Sequence, residues 1–217
     1  MDKNKTKATI DIFDKYASQY EAQYMSVEKY HDTLDLFCTN LSKQNARILE
    51  LACGPGNMTK YLLSRLPDLQ ILATDLSPAM LEIAQKNNPN ASIQILDCRA
   101  ILDLEESFDA IVCGFGLPYL SKEEAIQLNI DMCNMLKENG LIYISFMEAA
   151  NGKSGYTSSS NDSGDVLFTY YHEEGYLKDV FLACGMEMLD VSRVKYSDRS
   201  GEVVDLIMVA KNGNRKK

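Results

Sequence analysis

The sequence predicts an α/β fold built on a doubly wound, mostly parallel sheet, and three observations carry that expectation. From Ala46 onward, short runs rich in Ile, Leu, Val and Ala recur at regular intervals. Segments with helical spacing separate them, and near-continuous apolar strands between helices mark a sheet buried on both faces. Asp75 and Asp97 close two of the strands, at the carboxyl edge where open α/β sheets bind their ligands.

Ahead of the sheet, Ile10, Phe13, Ala17, Tyr20 and Tyr24 recur at three and four residues, which predicts an amphipathic helix with an aromatic stripe. The strands are expected at ARILELA (46–52), LQILATD (69–75), SIQILD (92–97), FDAIVCGF (108–115) and GLIYISFME (140–148). Helices are expected over 57–66, 78–87 and 121–137. Residues 149–165, AANGKSGYTSSSNDSGD, can bury almost nothing and are expected as a flexible loop insertion. Beyond it come a strand VLFTYY, a helix over 173–184 closed by Gly185, and the antiparallel pair MEMLDVSRVKY and EVVDLIMVAK joined by SDRSG.

The 217 residues, 46% hydrophobic and 24% charged, fit one domain spanning 1–217. A chain of this length buries roughly 70% of its unfolded surface and needs no disulfide or metal to hold a core. A formal net charge of -9 disfavours a nucleic-acid partner. The six cysteines form no CxxC pair, and two histidines, His31 and His172, are too few for the usual zinc site. Buried, reduced thiols, no apolar N-terminal region and no long apolar run lead to the expectation of a cytoplasmic protein without a membrane span.

The chemistry concentrates where the first strand runs into Cys53, Gly54, Pro55 and Gly56 and a helix follows. Glycines there let a ligand approach the backbone, and a helix N-terminus favours a negative group. Nineteen residues after Gly56, Asp75 ends the second strand, where a carboxylate can accept both ribose hydroxyls of a nucleoside cofactor. Its competing role is to open a turn or cap the helix beginning at Ser77 and Pro78. A dinucleotide fingerprint would need glycine at position 59, where this chain has Thr59, and no nucleoside triphosphate loop occurs.

ILELACGPG (48–56) resembles the first motif of class I S-adenosylmethionine-dependent methyltransferases, and TDLSPAML (74–81) resembles their second, acidic segment. FDKYASQY (13–20) is similar to their N-terminal cap helix, ILDCRA (95–100) to their adenine-contacting turn and FDAIVCGFGLPYLS (108–121) to their fourth strand. The likeness covers about residues 10–148 and continues more loosely through LACGMEML near 182–189. It implies a Rossmann-like, seven-stranded sheet with an antiparallel last strand, an N-terminal helical cap over about 8–43 and S-adenosylmethionine as cofactor.

Residue by residue, the resemblance gives Glu50 and the backbone of Ala52, Cys53, Gly54 and Gly56 to the methionine part of the cofactor and Asp75 to the ribose. Leu76 and Met80 would pack on the adenine, Asp97 would accept from its amino group beside the backbone of Cys98, and Gly114 and Phe115 would lie near the sulfonium. Tyr20 joins them from the cap, or serves core packing. Ala52 stands where the family more often has glycine.

The acceptor is less legible. Nucleobase amino-methyltransferases carry an [ND]-P-P-[YF] turn after the fourth strand, whereas this chain has Cys113, Gly114, Phe115 and Gly116 there. With the acidic charge, that leaves a small-molecule methyl acceptor, attacked through nitrogen, oxygen or carbon. His172, after Phe168, Tyr170 and Tyr171, is the candidate catalytic base, with helix capping as its competing role. A catalytically silent cofactor-binding protein is the alternative function, and the oligomeric state stays open.

Overall fold

The computed structural model describes residues 3–148, 154–158, 165–198 and 201–213. Its helices are α1 (Lys3–Tyr24), α2 (His31–Asn40), α3 (Asn57–Arg65), α4 (Pro78–Asn87), α5 (Lys122–Met135) and α6 (Glu174–Ala183). Its strands are β1 (Arg47–Leu51), β2 (Gln70–Asp75), β3 (Ser92–Ile95), β4 (Phe108–Gly114), β5 (Leu136–Met147), β6 (Gly155–Ser158), β7 (Val166–Thr169), β8 (Met186–Asp198) and β9 (Gly201–Asn212).

Seven strands form one sheet in the order β3-β2-β1-β4-β5-β9-β8. The first five are parallel, and β9 runs antiparallel to both β5 and β8. This is the Rossmann-like arrangement with a reversed last strand that the sequence predicts. The order reverses between β1 and β4, so a crevice opens beyond their carboxyl ends.

Alternation along the strands sorts side chains between two cores. Ile48, Ala110, Val112, Tyr143 and Val209 face α2, α3 and α4, whereas Leu49, Leu51, Ile111, Cys113, Ile144 and Met208 face α5 and α6. Glu50 falls on the first of these faces, toward α3, by the same alternation. The helix ends follow local chemistry. Ser77 caps α4 by accepting from the Met80 amide with Pro78 at the first position, Ser121 and Glu124 close a capping box on α5, and Gly185 in the left-handed region (φ 78°) follows α6.

The structure differs from the sequence reading in three places. The segment 8–43 divides: α1, bent at Tyr16 (φ -114°, ψ 16°), lies over the crevice, but α2 packs on the sheet with Leu34 and Phe37 fully buried and Phe37 edge-on to Tyr143. No turn signal in the sequence separates the two helices sharply. Within 149–165, Gly155–Ser158 forms a strand paired antiparallel with β7, because an edge pairing needs only backbone groups, and the residues flanking it in that segment, apart from Ser154 and Asp165, lie outside the described ones. Finally, β5 starts at Leu136, directly after α5, because the chain pairs with Phe108 through a register shift before the apolar run begins.

Candidate cofactor and acceptor site

A cavity of about 1090 Å³, counting the part open to solvent, lies at the carboxyl ends of β1, β2 and β4 under α1. The β1–α3 turn lines it with Ala52 and Gly54, both in the left-handed region at φ 52°. Ala52 holds that conformation at a steric cost of about 1 kcal/mol that glycine would not carry. Gly54 turns a bare face to the cavity: a Cβ there would meet only Tyr20, at 3.8 Å.

The rest of that turn serves packing. Cys53 is 3% exposed, and its amide donates to the Thr74 carbonyl at 2.9 Å. Gly56 sits at φ 78°, and a Cβ on it would come within 2.3 Å of Asn88 Nδ2 and 3.2 Å of Ala84. It is glycine for α3 and α4 to approach each other, so neither Cys53 nor Gly56 lines the cavity. Glu50 is likewise behind it, 2% exposed and accepting from the Thr59 hydroxyl. Burial pushes its carboxyl up to about 7, the Thr59 hydrogen bond opposing.

Asp75 lines the cavity with both carboxylate oxygens already anchored. Oδ2 accepts from the Gly54 amide and Oδ1 from the Ser77 amide, each at 2.9 Å. Burial raises its pKa against these hydrogen bonds. Each oxygen keeps a second lone pair, so the turn-opening and ligand-accepting roles are compatible. Leu76 and Met80 lie beside it on the cavity wall.

Next along the edge, Asp97 and Cys98 follow β3 into a 3₁₀ turn. Arg99 grips Asp97 in a fork, Nε to Oδ1 at 2.8 Å and Nη2 to Oδ2 at 2.7 Å, and also reaches Thr6 and Glu124. Burial pushes the Asp97 carboxyl up, but the guanidinium outweighs it and holds the group below its ordinary range. Opposite, Gly114 and Phe115 end β4. A Cβ on Gly114 would strike Met58 Sδ at 2.4 Å, and Phe115 takes φ 56°, its amide donating to the Ser145 carbonyl at 3.0 Å.

The roof is aromatic. Phe13 stands edge-on to Tyr20 at 5.6 Å and to Tyr119 at 5.2 Å, and Tyr20 contacts Tyr24 at 4.5 Å. Burial raises the Tyr20 and Tyr119 hydroxyls well above the usual phenol range, so both stay protonated. At the outer end Lys5 lies 3.8 Å over the Phe168 ring.

His172 is a correction. It is 2% exposed and does not line the cavity. Its Nε2 lies 2.8 Å from the Leu117 carbonyl, to which it donates, and its Nδ1 accepts from the Tyr176 hydroxyl. Burial lowers its pKa. With both nitrogens occupied it has no atom to offer an acceptor, nor does it cap α6, whose N-cap is Glu173. It clasps the turn after β4 to the segment after β7.

Sequence reasoning missed Asp14, Arg99 and Tyr119. Asp14 Oδ1, on α1, accepts from Ser77 Oγ at 2.5 Å and from the Ala79 amide at 3.1 Å. Its partners lie more than sixty residues away, and no local pattern announces them. Arg99 was legible as an acid and a base two residues apart, and Tyr119 as the aromatic of GLPY. Among the described residues no group of three or more His, Cys, Asp or Glu could hold a metal. No helix of these residues is long and apolar enough to cross a membrane.

This crevice, with its glycine turn, acid-terminated second strand and reversed β9, stands at the edge of a Rossmann-like α/β sheet. Residues 48–140 match the methyltransferase domain family. The chain is 34% identical over 104 residues to the malonyl-[acyl-carrier protein] O-methyltransferase of Priestia megaterium, covering 46% of this chain and 37% of that one. It is 24% identical over 168 residues to the viral protein 235L of Invertebrate iridescent virus 6, covering 76% and 60% respectively. The chain thus spans less than two thirds of the length of these two relatives. In fold it is similar to the 1,6-didemethyltoxoflavin-N1-methyltransferase of Burkholderia thailandensis, solved with S-adenosylhomocysteine bound, with a TM-score of 0.71 and 18% identity over 96% of this chain and 89% of that one.

Proposed function

We propose that the chain transfers a methyl group from S-adenosylmethionine to a small molecule. One observation carries this reading: the cavity brings Ala52, Gly54, Asp75, Asp97, Gly114 and Tyr20 to one surface from five separate parts of the sequence. In this reading Asp75 accepts the ribose hydroxyls through its free lone pairs. Leu76 and Met80 hold the adenine, and Asp97 with the Cys98 backbone meets its amino group. Ala52, Gly54, Gly114, Phe115 and Tyr20 surround the methionine end, while Glu50, Cys53 and Gly56 shape the turn from behind.

The cofactor supplies a methyl already activated for in-line attack. The protein's task is then to align a nucleophile, exclude water and present the aromatic faces of Phe13, Tyr20 and Tyr119 to a cation. The net charge of -9 favours a small acceptor over nucleic acid, and six free cysteines fit a reducing, cytoplasmic setting. The helical cap of this reading is α1. The experiment is calorimetry with S-adenosylhomocysteine followed by product detection with labelled S-adenosylmethionine. Binding without turnover on any small-molecule extract would leave a cofactor-binding protein in its place, and no binding would overturn the reading.

A further inference from the structure

Asp97 is almost saturated as an acceptor. Its Oδ1 accepts from the Arg99 amide at 3.0 Å and from Arg99 Nε at 2.8 Å, which uses both lone pairs of that oxygen, and Oδ2 accepts from Arg99 Nη2 at 2.7 Å. Among the described residues this leaves one lone pair, on Oδ2. Arg99 is itself held by two further elements, its Nη1 reaching Thr6 Oγ1 on α1 at 3.1 Å and Glu124 Oε1 on α5 at 3.3 Å. Glu124 in turn is fixed through Oε2 by the Ser121 amide at 2.9 Å. All four of Thr6, Asp97, Arg99 and Glu124 line the cavity.

From this we infer that Arg99 is a positioning residue for the cofactor: it fills the other acceptor places of Asp97 and fixes the carboxylate plane, so that the remaining place on Oδ2 takes one N–H of the adenine amino group. The inference rests on the transferase reading above, which puts the adenine beside Asp97. It adds the residue that makes Asp97 selective.

Two effects of the fork oppose each other. The guanidinium draws charge from the carboxylate, which weakens Asp97 as an acceptor toward a ligand. It also stops the carboxylate from turning, and it keeps the group ionised where burial alone would raise it. Preorganisation governs, for two reasons. Arg99 shares its charge between Asp97 and Glu124, so Asp97 is only partly neutralised. An acceptor already in place loses no side-chain freedom when the ligand arrives, whereas an unclamped Asp97, 24% exposed, is free to turn to water. A lysine would not do the same, because one ammonium lacks the planar fork that spans both carboxylate oxygens.

The test is calorimetry on the full chain at neutral pH with S-adenosylhomocysteine and with its analogue in which hydrogen replaces the 6-amino group of the adenine. Wild type should prefer S-adenosylhomocysteine roughly 10- to 100-fold, the worth of one hydrogen bond to a charged acceptor. In Arg99→Met, which keeps an unbranched stem without the fork, that preference should fall to roughly 3-fold or less while the analogue binds as in wild type. Arg99→Lys should fall between the two, and it carries the comparison alone if the Met variant does not fold. A merely structural Arg99 would weaken both ligands alike and leave the preference intact, which overturns the inference. A preference that rises in the variants also overturns it, by showing that the guanidinium competes with the amino group. Wild type that binds both ligands equally overturns it together with the adenine placement, and wild type that binds neither overturns the transferase reading itself.

Discussion

Asp75 Oδ2 accepts the backbone N–H of Gly54 at 2.9 Å, tying the end of β2 to the glycine turn after β1. The same carboxylate that is proposed to receive the ribose also holds the turn that receives the methionine. Asp75→Ala should therefore act twice. S-adenosylhomocysteine affinity, read by calorimetry, should drop by roughly 2 to 4 kcal/mol through lost charge-assisted hydrogen bonds. The ligand-free protein should also lose about 1 to 2 kcal/mol in denaturant unfolding, as the Gly54 and Ser77 amides lose their acceptor. A variant that binds as tightly as wild type would leave Asp75 a purely structural acceptor.

Glu50 gives a pH signature. Its carboxyl, ordinarily near 4.5, is raised to about 7 by burial. Between those values the folded protein holds a proton that the unfolded chain has lost. The contribution to stability is full below 4.5 and is lost as pH rises through about 7, amounting to roughly 3 kcal/mol. Glu50→Gln keeps an acceptor for the Thr59 hydroxyl and removes the titration. Denaturant midpoints across this range should flatten in the variant, and a slope identical to wild type would assign the titration elsewhere.

The parallel sheet was legible because its strands are continuous apolar runs whose period and length leave no other assignment, as in FDAIVCGF. The edge that carries the cavity was legible because Asp75 ends β2 and Gly54 stands in the turn after β1. What stayed hidden depends on contacts distant in sequence. Gly56 and Gly54 look alike as letters, yet one is glycine for Asn88 and Ala84 and the other for the cavity. His172 has the composition of an acid–base site around it, and only the fold brings the Leu117 carbonyl and the Tyr176 hydroxyl to its two nitrogens. The split of 8–43 was hidden for the same reason, since Phe37 becomes a core residue by meeting Tyr143.

His172→Asn should cost stability rather than chemistry. The shorter side chain leaves the buried Leu117 carbonyl without its donor, at about 1 to 3 kcal/mol. Turnover per folded molecule and S-adenosylhomocysteine affinity should stay near wild type. Because burial lowers the histidine's folded pKa, its unfolded form gains a proton first as pH falls below about 6.5. Stability is therefore kept above that pH and lost below it, opposite in sign to Glu50, and the variant should lose that acid-side decline. A roughly 100-fold fall in turnover of the folded variant would restore His172 as a base.

Asp14 links α1 to the cofactor edge, since one of its oxygens receives both Ser77 Oγ and the Ala79 amide at the start of α4. Ser77 is itself the N-cap of α4 and follows the Asp75–Leu76 step, so the roof is fastened to the loop proposed to hold the ribose. Glu21 accepts from Asn87 Nδ2 at 2.8 Å, and Asn57 Nδ2 donates to the Tyr24 carbonyl at 2.9 Å, so the helix beyond the bend at Tyr16 has fastenings of its own. Asp14→Ala should therefore loosen the helix most before that bend. Hydrogen exchange of residues 9–16 should accelerate more than that of 17–24, and S-adenosylhomocysteine should bind roughly 3- to 10-fold more weakly as Phe13 leaves Tyr20 and Tyr119. Charge pulls the other way, because Asp14 raises the pKa of Asp75 and its removal eases that carboxylate's ionisation. Asp14→Asn separates the two effects, keeping an acceptor for Ser77 and Ala79 while removing the charge. If the fastening governs, Asn restores protection and affinity. If Asn binds more weakly than Ala, or exchange is the same in both variants and wild type, α1 is held by its aromatic contacts alone and Asp14 is incidental to the roof.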